Sequence, residues 1–97
     1  MKVNEIRTGG IAKSLAGRDK GRLYMIVGRE GETLLLADGK YRPAESPKRK
    51  NRRHVYLLPV FYPEIAENLA QGKNENSRIR AALQAPACAS PEAEGET

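Results

Sequence analysis

The sequence predicts a mainly β fold: a small five-stranded barrel or sandwich followed by one or two short helices. Three observations carry this. Short runs rich in β-formers recur at close spacing, glycine-containing turns separate them, and an apolar spacing of three to four residues begins only after residue 63. At 97 residues the chain fits one small domain. Four Tyr, one Phe and no Trp agree with a modest core.

Ile11–Leu15 reads as the first strand and Leu23–Val27, Leu-Tyr-Met-Ile-Val, as the second. Gly28-Arg29-Glu30-Gly31 reads as a turn and Thr33–Ala37 as a third strand, whose three leucines point to burial. Asp38-Gly39 is a tight-hairpin signal, because a type I′ turn needs positive φ at both central residues. It makes Lys40–Ala44 the returning strand. Between that strand and a fifth, His54–Leu58, residues 45–53 read as an exposed basic loop. Pro59 and Pro63 are expected to end strand structure. Pro63 opens a helix carrying Ile65, Ala66 and Leu69, and Gly72 stops it. Asn76 or Ser77 caps a second helix through Gln84, with Ile79 and Leu83 one turn apart. Both helices are too short to persist unless packed on the strands. The organisation expected is an N-terminal extension over 1–7, a barrel over 8–58, a helical extension over 59–84 and a disordered Ala/Pro/Ser/Glu tail over 85–97.

Charge is distributed unevenly. Residues 1–58 carry 14 Lys and Arg against 6 Asp and Glu, whereas residues 59–97 carry 3 against 6. A basic body points to a polyanionic partner. No apolar run is long enough to cross a membrane, and the N-terminus has no signal-peptide core, so a cytoplasmic protein is expected. One cysteine, Cys88, and one histidine, His54, provide neither an internal disulfide nor a His/Cys metal site. No nucleophile–base pair is readable, and the chain is expected to be neither an enzyme nor a cofactor carrier.

Two segments stand out as binding candidates. Ala16–Arg22 holds Gly17 and Gly21 among Arg18, Lys20 and Arg22. Glycines expose backbone N–H groups and the cations reach phosphates, although an ordinary turn with solvated charges has the same composition. Asp19 is expected to order the turn by accepting backbone N–H groups. In Lys48-Arg49-Lys50-Asn51-Arg52-Arg53, five of six residues are cationic, and flanking strands hold both ends. That favours an RNA-contacting loop over a solvated one. His54 reads as structural or RNA-contacting. Tyr24, Tyr41, Tyr56, Phe61 and Tyr62 are the rings that can stack on unpaired bases, with core packing the default for most; Tyr41, beside Arg42 in a polar stretch, is the best stacking candidate.

Three blocks in order, Ala16-Gly17-Arg18-Asp19-Lys20-Gly21-Arg22, Leu35-Leu36-Ala37-Asp38-Gly39 and Lys50-Asn51-Arg52-Arg53-His54-Val55, resemble the KOW-domain RNA-binding proteins similar to large-subunit ribosomal protein fourteen of the archaeal and eukaryotic type. Gly21 falls at the hallmark glycine of the KOW turn. The resemblance spans about residues 8–58. It implies an SH3-like barrel that binds RNA, with ribosomal RNA as partner and ribosomal subunit proteins nearby. A protein-docking module of transcription or ribosome assembly is the alternative. Protein docking does not need the Lys48–Arg53 run.

Overall fold

A computed structural model describes residues 6–84. The spine of the fold is strand β2, Leu23–Glu30, whose apolar residues face both ways. Side chains alternate across a strand. Tyr24 and Ile26 therefore join Ala12, Leu34, Leu36 and Val55 in one core, while Met25 meets Ile65, Ile79 and Ala82 in another. Burial on both faces explains why Leu-Tyr-Met-Ile-Val shows no polar alternation.

Strands β1 (Gly10–Ser14), β2, β3 (Thr33–Ala37), β4 (Lys48–Asn51) and β5 (Val55–Phe61) form one antiparallel sheet in the order β4-β3-β2-β1-β5. The pairing register shifts between Gly10 and Ala12 against β5, and between Ile26 and Gly28 against β3. Such bulges bend a strand and increase its twist. The sheet curls around the first core as a barrel-like layer, and β4 and β5 are not paired to each other. Helices α1 (Pro63–Ala70) and α2 (Asn76–Gln84) cover the second core on the opposite face of β2. A mainly β, five-stranded fold with two short helices is thus what the sequence builds.

Four local expectations about the strands are corrected, and one about the cap of α2. β2 continues through Gly28-Arg29-Glu30, and its turn falls at Gly31-Glu32. Lys40–Ala44 is not a strand. Gly39 has φ +78°, but no described non-glycine residue has positive φ, so Asp38-Gly39 does not form a type I′ turn. The Asp38 carboxylate instead accepts the backbone N–H groups of Lys40 and Arg42, each at 2.8 Å. This is local capture of the backbone by Asp. α2 then pins the loop. Asn76 Oδ1 accepts the Ala44 N–H at 2.9 Å, and Arg80 Nη1 donates to the Gly39 carbonyl at 2.6 Å. Asn76 is consequently not the helix cap; Asn74 Oδ1 accepts the Asn76 N–H at 3.0 Å.

The third correction is that β4 begins at Lys48, inside the expected basic loop. The fourth concerns Pro59, which lies within β5 rather than ending it. β5 is an edge strand, and Leu58, Pro59 and Val60 lie opposite the single residue Ile11, between the Ala12–Leu57 and Gly10–Phe61 pairs. No ladder bond needs the missing proline N–H there. Pro63 does open α1, as its fixed φ favours. The expected disordered tail with Cys88, and the first five residues, lie outside the described residues.

Candidate functional site

The Ala16–Arg22 segment is a folded turn closing the β1–β2 hairpin. The Ser14 N–H bonds the Arg22 carbonyl at 2.9 Å, the Gly21 N–H returns to the Ser14 carbonyl at 2.8 Å, and the Lys20 N–H meets the Gly17 carbonyl at 3.2 Å. Gly17 and Gly21 have φ +88° and +91°, values that side-chain-bearing residues rarely adopt. A Cβ on Gly21 would meet nothing within 4 Å, so the demand there is conformational rather than steric.

Asp19 anchors this turn, by a different route from the backbone capture expected. Its carboxylate accepts from four side chains. Ser14 Oγ at 2.8 Å and Lys50 Nζ at 3.2 Å reach Oδ1; Tyr24 Oη at 2.8 Å and Lys48 Nζ at 2.8 Å reach Oδ2. Asp19 is only 8% exposed. Burial alone would raise its pKa, but the bonds from Lys48, Ser14, Tyr24 and Lys50 outweigh that and hold the carboxyl well below its ordinary range. For Tyr24, burial together with the bond to Asp19 and its charge pushes the phenol up to about 12.

These shifts set the pH dependence of stability. A depressed carboxyl contributes stability that is complete well above its ordinary 3.8 and is lost as pH falls below about 4. A raised phenol contributes stability that is complete below its ordinary 10.0 and is lost between pH 10 and about 12. The alkaline loss assignable to Tyr24 is about 2–3 kcal/mol. Thermal melts across pH should show a decline on each side of neutrality, and Tyr24→Phe should make the alkaline limb shallower. An unchanged alkaline limb would contradict the role given to this hydroxyl.

The Lys48–Arg53 run is a strand and a turn rather than a loop. Lys48 lies opposite Leu36 and Lys50 opposite Leu34, so both face the barrel interior, where they share the Asp19 carboxylate. Lys50 also donates to the Ala16 carbonyl at 3.0 Å. Arg49, on the other face, pairs with Glu30, and Arg52 Nε lies 3.8 Å from Glu32. Asn51 Oδ1 accepts the Arg53 N–H at 2.9 Å and caps a 3₁₀ turn over Arg52–His54. Of the run's five cations, Arg53 alone makes no ion pair with a described residue. His54 is exposed, and its carbonyl accepts the Leu15 N–H at 2.8 Å, which sets Arg53 and His54 beside the glycine turn. On that turn, Arg18 and Lys20 are exposed and have no acidic partner among the described residues.

The turn's other end meets the Asp38–Arg42 loop. Arg22 lies 3.7 Å from Asp38 and stands over the Tyr41 ring at 5.6 Å, and Lys40 approaches the same ring at 5.0 Å. Tyr41 is 68% exposed, and Arg42 is exposed beside it. The structure thus places Gly17, Arg18, Lys20, Gly21 and Arg22 on one turn, with Arg53 and His54 next to its Leu15 end and Tyr41, followed by Arg42, in the loop that meets Arg22. It commits Lys48, Lys50, Arg49, Asn51 and Arg52 to bonds within the fold.

Lys13 and Lys40 belong to the same surface without any local signal in the sequence, and Tyr56 joins them there. Tyr56 is 52% exposed, against the default of core packing. Strand alternation held the signal: Val55 points into the core, so Tyr56 points out, opposite Lys13. Among the described residues, no helix is long and apolar enough to cross a membrane. No protein-family model matches the chain, and no curated protein matches it.

Proposed function

We propose that this protein binds RNA through phosphate contacts made at the glycine turn, acting in the translation apparatus in the cytoplasm with ribosomal RNA as its partner. The observation that carries the reading is a separation of charges. Asp19, Glu30 and Glu32 take up four cations of the basic run, while Arg18, Lys20 and Arg53 are exposed and have no acidic partner among the described residues, around a turn that Asp19 holds in shape. Cations on a preorganised turn can meet phosphates without first giving up an internal partner. Gly17 and Gly21 leave the backbone bare on either side of Arg18-Asp19-Lys20, and the resemblance of residues 16–22 to the KOW turn supports the same reading.

The three phosphate contacts at the turn should contribute about −2 to −3 to the slope of log affinity against log salt. Titration of RNA into the full chain over a salt series measures it. Binding without salt dependence would contradict the proposal. Lys48 and Lys50 are expected to affect stability rather than this slope.

A further inference from the structure

Two cavities open on either side of Leu23 and Leu83. One, of about 420 Å³, is lined by Lys13, Tyr56 and Leu58 and reaches Gly21 of the glycine turn. The other, of about 280 Å³, is lined by Arg22, Lys40, Tyr41 and Arg80. Because Leu23, Leu83 and Gln84 line both, the two adjoin as a trough between the sheet and the end of α2. Three large hydrophobic side chains stand exposed among the described residues, and two of them, Tyr41 and Tyr56, wall this trough, one in each cavity.

The lining charge is unbalanced. Among the described lining residues Lys13, Arg22, Lys40 and Arg80 are cationic, and Asp38 is the sole acid. Exposed aromatic rings bordered by cations form a platform on which unpaired bases stack while the phosphates are neutralised. A duplex keeps its base faces stacked inside and cannot use such rings. An acidic peptide would match the charge but leaves both rings without a planar partner.

We propose that this trough takes unpaired nucleotides of a single-stranded RNA segment, with one base on Tyr56 and one on Tyr41 and the phosphates beside Lys13, Arg22 and Lys40. The inference rests on the RNA-binding reading of the glycine turn and gives it a substrate class: RNA whose strand is unpaired next to the phosphates gripped by that turn.

The test uses the full chain, a short oligouridylate, and a blunt RNA duplex of the same length, with affinity read by fluorescence anisotropy. Tyr56→Ala should weaken oligouridylate binding about fivefold or more and leave duplex binding within about twofold, and Tyr41→Ala should act in the same direction. Tyr56→Phe should bind like wild type, since the ring and not the hydroxyl stacks. Both tyrosines are exposed, so thermal melts should not change. If salt-dependent binding persists but both alanine variants bind oligouridylate normally, the trough is overturned and the turn stands. Equal losses on duplex and single strand also overturn it. Polyglutamate binding with the same Tyr56 sensitivity would assign the trough to acidic peptides instead. If wild-type protein shows no salt-dependent binding to either RNA, the turn reading fails and the trough falls with it.

Discussion

Asp19→Ala is expected to lower stability by about 3 kcal/mol, the low end of the cost of breaking a buried ion pair, because Asp19 is buried but the lysines it leaves behind are only partly so. The substitution strands Lys48 and Lys50, whose side chains are 29% and 12% exposed, and removes the acceptor for the Ser14 and Tyr24 hydroxyls. For a small domain with about 5–15 kcal/mol in total, that loss brings the chain close to unfolding. Lys48→Met should cost much less, because Ser14, Tyr24 and Lys50 would still satisfy the carboxylate. Urea unfolding of both variants measures the difference. Equal, small losses would show that Asp19 is a solvated turn residue and that the turn takes its shape from elsewhere.

Ile79→Ala should have an effect of the same order, at about 2–5 kcal/mol for a fully buried aliphatic side chain cut back to Ala. Ile79 packs with Met25, Ile65 and Ala82, the residues that join α1 and α2 to the outer face of β2. The effect should extend to the loop bearing Tyr41, since α2 holds that loop through Asn76 and Arg80. Amide exchange at Ala44, whose N–H is bonded to Asn76, should accelerate beyond what global unfolding accounts for. Full stability with unchanged exchange would mean that the helices are a detachable extension rather than the second half of the core.

How legible the fold was in the sequence depended on the range of each interaction. β2, β3 and both helices could be read because their apolar spacing is a local signal, and Pro63 and Gly72 mark the ends of α1. The glycine turn was legible for the same reason, since positive φ at Gly17 and Gly21 follows from residue type. The Asp38-Gly39 signal was correct about the Gly39 backbone and wrong about the hairpin, because capture by the Asp38 side chain and anchorage to α2 outcompeted strand return. The basic run departs most from its local reading, as a strand and not a loop. Lysine stems can lie along an apolar interior with the ammonium at its end. The partner of Lys50 is 31 residues away, which no local pattern of charge reveals. Tyr56 was hidden by a default rather than by physics, since the core position of Val55 already determined its outward face.

The central claim is that the cations left unpaired around the glycine turn grip RNA phosphates, and one comparison tests it most directly. The salt dependence of RNA binding should be measured for the wild-type chain and for the combined variant Arg18→Ala, Lys20→Ala and Arg53→Ala. All three side chains are exposed and free of ion pairs within the described fold, so both proteins should melt alike. The account predicts that the variant's slope of log affinity against log salt is shallower by about two to three, close to one unit for each lost phosphate contact. A variant that folds normally and keeps the wild-type slope would contradict it.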